Sequence, residues 1–260
     1  MKNYGSEWKR RVKAGEFVHG GHIFLPNSAI AEAMAYFGYE YIWIDGEHGA
    51  FDKRDYLTHI TAINGAGSGA FVRVTANEPT LIKAVLEMGP DGIIVPMVST
   101  AEEAAAFVSA CMYPPKGTRG FGPRRASHYG KISTKEFLEK IDDSLVKMVQ
   151  VEHKDGVANI DKICEVPGID AIVVGPYDLS ASFGIAGQLM HPDMLAACKR
   201  IVERCKAHHI PIGPSMAMGD VEFLKFWMDL KPDYIFCGDD LAFVKMGAES
   251  TIAKIKEMRK

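Results

Sequence analysis

Tyr41-Ile42-Trp43-Ile44-Asp45, a helix-period stretch over residues 53–65 and Ala70-Phe71-Val72-Arg73-Val74 read as one strand–helix–strand unit. Both apolar runs are short, rich in β-branched and aromatic side chains, and apolar at consecutive rather than alternate positions. That pattern belongs to strands covered on both faces, as in a parallel sheet with helices packed outside it. The unit recurs along the chain. Val18-His19-Gly20-Gly21-His22-Ile23-Phe24 precedes it, and residues 92–95, 146–151, 170–174, 210–213 and 234–237 follow. Helix signals fill the gaps: a stretch at 28–36, a helix from Pro79 to Glu87 with proline in its first turn, and a Thr100-x-x-Glu103 capping box. A long Gly/Pro/Arg loop over residues 112–133 separates the fourth and fifth strands. Eight strands alternating with helices predict an α/β fold and favour closure into a (β/α)8 TIM barrel over an open doubly wound sheet. No linker-like composition divides the chain. The expectation is one domain over residues 1–260, with residues 1–14 as an N-terminal helical cap and a C-terminal helix over about 239–258.

With 260 residues and 47% hydrophobic content, the chain can bury a large core. Its net charge of −3 and 24% charged residues leave no broad basic surface, so neither nucleic acid nor a membrane is an expected partner. No stretch approaches the roughly 20 apolar residues that span a bilayer, and the charged start, Met1 to Lys13, lacks the apolar core of a signal peptide. Cysteines at 111, 164, 198, 205 and 237 include no C-x-x-C pair. Cys198 and Cys205 share one predicted helix, roughly 10 Å apart and too far for a disulfide. Reduced thiols in a cytoplasmic enzyme are the expectation.

In a barrel of this kind, chemistry sits where strands end and the following loops begin. The second strand ends in Asp45-Gly46-Glu47-His48-Gly49. The third carries Arg73, the fifth ends in Gln150-Val151-Glu152, and the sixth in Gly175-Pro176-Tyr177-Asp178. Asp178 alone reads equally as a cap of the helix beginning there. Glu152 follows a buried strand and needs a counter-charge or a metal. Two carboxylates without Cys or paired His suit a hard cation such as Mg²⁺ or Mn²⁺, with positions left for water and a chelating substrate. His153 reads as a solvated loop residue. Tyr177, Ser215 and Met216 are placed to shape a pocket, and no predicted strand end supplies the lysine that Schiff-base chemistry needs.

Four motifs carry a resemblance: Tyr41-Ile-Trp-Ile-Asp-Gly-Glu-His48-Gly, Asp91-Gly-Ile-Ile-Val-Pro-Met97, Tyr113-Pro-Pro-Lys-Gly-Thr-Arg-Gly120 and Gly175-Pro-Tyr-Asp-Leu-Ser180. Together, in this order and with Gln150-Val-Glu152 between them, they resemble the HpcH/HpaI family of metal-dependent class II pyruvate aldolases. The resemblance implies that Glu152 and Asp178 ligate Mg²⁺, Mn²⁺ or Co²⁺. It makes His48, oriented by Asp45, the base, and Arg73 the group that stabilises the enolate. Gln150 and the Gly175-Pro176-Tyr177-Asp178 turn, with Ser215 nearby, would bind substrate. Glu87 stands where an acidic residue from a neighbouring subunit supports the His–Asp pair. The implied reaction joins pyruvate or another 2-oxo acid to an aldehyde, or cleaves 4-hydroxy-2-oxo acids, in a homohexamer (a trimer of dimers) with the C-terminal helix at a subunit interface. Oxaloacetate decarboxylation through the same enolate is the alternative reaction, and a catalytically silent metabolite-binding barrel the alternative of another class. The Gly-rich loop reads either as a solvated loop or as one whose Arg119, Arg124 or Arg125 helps form the mouth or a subunit contact, where it would meet an acidic aldehyde.

Overall fold

A computed structural model describes residues 3–259. Eight parallel strands close into a barrel in sequential order: β1 (Val18–Ile23), β2 (Tyr41–Asp45), β3 (Gly69–Arg73), β4 (Gly92–Val95), β5 (Val146–Val151), β6 (Ala171–Val174), β7 (Ile212–Met216) and β8 (Tyr234–Asp239). The expected (β/α)8 fold is therefore the observed one, and the strand–helix–strand unit read from residues 41–74 is its second and third strands. The helices predicted at 28–36, from Pro79 and after Thr100 form as Ser28–Tyr36, Pro79–Leu86 and Ala101–Cys111, the last with its capping box closed. All five cysteines are free thiols. Among the described residues, no helix is long and apolar enough to cross a membrane.

Alternate residues on each strand point inward, and the inward series changes character along the barrel. Tyr41, Trp43, Phe71, Met148, Val173, Tyr234 and Phe236 fill the interior as one apolar cluster. One step further along, the same strands deliver Asp45, Arg73, Gln150 and Glu152, all buried. The other side of each strand packs against the helices in a second, larger core. The helix Tyr4–Lys13 closes the opposite end: Tyr4, Trp8 and Val12 join the interior cluster, and Trp8 meets Tyr234 edge-on at 5.3 Å. The barrel is thus plugged at its N-terminal end and polar at its C-terminal end.

The seventh strand departs furthest from its sequence reading. It was expected over 210–213 but runs Ile212–Met216, through Pro214 and Ser215. Pairing on both sides, with Ile172 opposite Ile212 and Phe236 opposite Ser215, outweighs the missing proline donor. That shift carries Ser215 into the C-terminal mouth.

Candidate active site

At the C-terminal mouth lies a cavity of about 270 Å³ lined by His22, Phe24, Asp45, His48, Arg73, Gln150, Gly175, Pro176, Tyr177, Asp178, Ser215, Met216, Ala217 and Asp239. It brings together every predicted catalytic and substrate-binding residue except Glu87. Arg73 is its centre. The guanidinium donates from Nε to Asp45 Oδ1 at 3.1 Å and from Nη2 to Asp45 Oδ2, and it faces the Trp43 ring at 5.3 Å. Its Nη1 lies 2.8 Å from Glu47 Oε2 and 3.4 Å from Gln150 Oε1. Gln150 in turn donates from Nε2 to Glu152 Oε2 at 2.5 Å, so one continuous chain links Asp45, Arg73, Gln150 and Glu152.

Asp45 orients His48 differently from the expectation. Its Oδ1 accepts from the backbone N–H groups of Glu47 at 3.1 Å and His48 at 3.0 Å, which fixes the turn that presents the exposed His48 ring at the mouth.

Glu152 is buried directly behind the cavity wall. Burial pushes its carboxyl up to about 8; the Met97 N–H, donating to Oε1 at 2.8 Å, and Arg73 oppose this, while Glu47 and Asp178 add to it. Glu152 and Gln150 come this close to the end of β6 because residue 175 has no side chain: a Cβ there would fall 2.2 Å from Glu152 Oε2 and 2.5 Å from Gln150 Nε2. Asp178 is not a helix cap. The N-cap position of the helix Pro176–Ser182 is Gly175, no side chain caps it, and Asp178 sits exposed in the first turn. Its cap reading from the sequence is therefore set aside. A crowded set of hard oxygen donors, one held against its own ionisation, fits a divalent cation. Among the described residues no cluster of three or more His, Cys, Asp or Glu side chains is arranged to hold a metal, so two carboxylates would leave most positions to water and substrate.

Other residues singled out in the sequence lie away from this cavity. Glu87 ends the helix Pro79–Leu86 outside the cavity, its carboxylate oxygens buried without hydrogen-bond partners and Oε1 3.9 Å from Arg119. Within one chain it does not line the site with His48. Arg119 is buried and stacks on Tyr113 at 4.5 Å, while Arg125 donates to the carbonyls of Met88 and Gly89 and to Asn64. Neither Arg119 nor Arg125, nor Arg124, lines the cavity. His153 does more than dangle in solvent, for its Nδ1 accepts the Asp155 N–H at 3.3 Å as the cap of a short helix. Among the described residues the one buried strand lysine, Lys147, pairs with Asp170 at 3.0 Å at the plugged end, where no Schiff base could meet this cavity. Sequence reasoning missed His22, Glu47 and Asp239. The inward parity of the first strand could have found His22, since Gly20 and His22 share a face. Glu47 had no such signal, because it lies in the turn rather than on a strand.

The HpcH/HpaI aldolase/citrate lyase family matches residues 22–220. The chain is 35% identical to a 2-dehydro-3,6-dideoxy-6-sulfogluconate aldolase of Pseudomonas putida, over 91% of this chain and 92% of that one. It is 34% identical to a 4-hydroxy-2-oxo-heptane-1,7-dioate aldolase of Salmonella dublin, over 98% of this chain and 95% of that one. The crystal structure of a HpcH/HpaI aldolase/citrate lyase family protein from Burkholderia cenocepacia superposes with a TM-score of 0.91 at 29% identity, covering 96% of this chain and 99% of that chain. A family match over most of the chain, full-length relatives and a shared barrel make this protein a carbon–carbon lyase of the HpcH/HpaI aldolase/citrate lyase family.

Proposed function

We propose that this pyruvate-type aldolase forms and cleaves 4-hydroxy-2-oxo acids, taking pyruvate or another 2-oxo acid and an aldehyde, at the mouth built on Arg73. The observation that carries the reading is the Asp45–Arg73–Gln150–Glu152 chain. It holds a permanent cation and a proton-retaining carboxylate in fixed relation beside the exposed His48.

Glu152 and Asp178 would hold the divalent cation, Mg²⁺, Mn²⁺ or Co²⁺. When bound, it supplies Lewis-acid polarisation of the 2-oxo group. The protein's residues do the rest. Arg73 cannot lose its proton and offers a fixed donor where oxyanion charge develops. The Pro176–Tyr177–Asp178 turn and Gln150 bind and orient the 2-oxo acid. His48 takes a proton from its methyl carbon, the resulting carbanion bonds to the aldehyde carbonyl carbon, and the new alkoxide regains a proton. Cleavage runs the same steps backwards.

The assembly we assign is a homohexamer acting in the cytoplasm, with residues 1–260 as one domain. Five free thiols support the compartment. Of the last helix, Asp240–Met258, only Asp240 is buried, while Leu241, Val244, Met246, Ile252, Ile255 and Met258 are exposed; this supports a subunit contact there. Glu87, whose carboxylate oxygens are buried without hydrogen-bond partners in its own chain, is assigned as the acidic support that a neighbouring copy would offer the His48–Asp45 pair.

The test is proton exchange. Pyruvate and Mn²⁺ in D2O should lose the methyl proton signal by NMR, and EDTA or His48→Ala should stop the loss. Wild-type protein that leaves the signal intact sinks this reading.

A further inference from the structure

Opposite Arg73, the cavity wall is built from β1, β7 and β8 around a buried histidine with no assigned role. His22 Nδ1 lies 3.1 Å from the Gly238 carbonyl oxygen, and Nε2 lies 2.8 Å from Ser215 Oγ. A carbonyl only accepts, so Nδ1 carries the proton and Nε2 presents a lone pair. The Ser215 hydroxyl must then donate into that lone pair. Its own oxygen is left as an acceptor on the cavity side. The rings of Trp43 at 5.3 Å, Phe236 at 6.1 Å and Phe24 at 6.2 Å pack around His22 and hold the pair in place. Burial pushes the His22 pKa down, which keeps the ring neutral and this polarity fixed.

The charge of this wall points the same way. Asp239, the strand partner of His22, lines the cavity too and caps the last helix through Ala242 N–H at 2.8 Å. Among the described lining residues Arg73 is the sole arginine or lysine, and its charge is already offset by Asp45 on one edge and by Glu47, 2.8 Å from Nη1, on the other. A carboxylate or sulfonate on the far end of the aldehyde would meet an acceptor oxygen and an acidic residue, with no counter-charge on this wall and the Arg73 charge across the cavity already paired. A hydroxyl group would find an acceptor already aimed at it.

We infer that the second substrate is a short, uncharged hydroxyaldehyde whose hydroxyl donates to Ser215 Oγ, with His22 as the residue that positions that oxygen. The inference rests on the aldolase reading and specifies its aldehyde.

The wild-type enzyme is assayed with pyruvate and Mn²⁺ against glycolaldehyde, glyceraldehyde, propionaldehyde and succinate semialdehyde, after methyl-proton exchange has been recorded. The hydroxyaldehydes should exceed the other two in kcat/KM by roughly tenfold or more, because a site built to bond a hydroxyl rejects an analogue lacking it. Ser215→Ala should bring the glycolaldehyde-to-propionaldehyde ratio towards that of their intrinsic reactivities, and Ser215→Thr should retain it. His22→Phe, which keeps the serine but removes its acceptor, should lower the ratio mainly through KM for the hydroxyaldehyde. A wild-type preference for succinate semialdehyde overturns the inference without any variant, as does an unchanged ratio in Ser215→Ala. Exchange without the preference overturns this inference alone; absence of exchange removes the aldolase reading and this inference with it.

Discussion

Glu47 Oε2 lies 2.8 Å from Arg73 Nη1, on the edge of the guanidinium that Asp45 leaves free. Arg73 is therefore neutralised from two sides before any substrate arrives. A 2-oxo acid approaching this edge must compete with Glu47, whose carboxyl is itself raised by burial.

Replacing that competitor should strengthen binding. In Glu47→Gln, Arg73 keeps its two bonds to Asp45 and loses one opposing charge, so KM for pyruvate should fall about 3- to 10-fold, equivalent to about 1 kcal/mol. Steady-state kinetics decides it: a raised KM together with a lower kcat would mean that Glu47 positions Arg73 rather than competing for it.

Breaking the buried pair from the other side should cost stability. Arg73→Met leaves Asp45 buried without its counter-charge, a change of about 3–5 kcal/mol. Urea unfolding should show it as a shift in midpoint, and catalysis should drop by about 10² or more as a fixed oxyanion donor is lost. Retained activity would contradict a role for Arg73 in the chemistry.

Cation binding should depend on pH through Glu152. Its folded pKa of about 8 lies above the ordinary carboxylate value of 4.5, so the metal-free fold keeps a proton here that the unfolded chain releases. The folded state then binds more protons between about pH 4.5 and 8, and this group's contribution to stability is lost as pH rises through that window. A bound cation displaces the proton. Mn²⁺ affinity should rise up to tenfold per pH unit below about 8 and level off above it, with close to one proton released at pH 7 by calorimetry in buffers of different ionisation enthalpy. Glu152→Gln should abolish the dependence along with most of the affinity; a flat profile in the wild type would refute the assignment.

Gly175→Ala places a methyl group 2.2 Å from Glu152 Oε2, so the carboxylate must move. The overpacking should cost about 1–3 kcal/mol in stability. Mn²⁺ affinity should fall about tenfold or more, read by titration, and wild-type affinity in this variant would separate Glu152 from the cation.

At the plugged end, Trp8→Ala should remove about 3–5 kcal/mol of stability, since the indole is buried inside the barrel against Phe71 and Tyr234. Below the lowered Tm, pyruvate exchange should continue at near wild-type rate, because the helix closes the floor rather than the mouth. Loss of exchange in folded protein would argue otherwise.

Several of these features were legible in the residues themselves. The consecutive apolar runs such as Tyr41–Ile44 state that a strand is covered on both faces, and eight of them among helices leave few arrangements besides a closed parallel barrel. Once strands are placed, the polar residues at their ends, Asp45, Arg73, Gln150 and Glu152, follow from period two and chain direction, and Asp178 from the turn that leaves the sixth strand. These are local properties, set by side-chain chemistry within a few residues.

Tertiary structure decided the partners. Which carboxylates share Arg73, whether Asp178 caps a helix, and where the loop arginines go depend on contacts between residues far apart in the chain, such as Arg125 with Asn64 and Arg73 with Gln150. His22 and Ser215 are 193 positions apart, and their 2.8 Å bond arises because β7 slid past Pro214 to pair on both sides while β1 closed the barrel on β8. Periodicity sets which face a residue takes. Only the pairing of strands, driven by hydrogen bonding and burial across the whole barrel, sets what it faces.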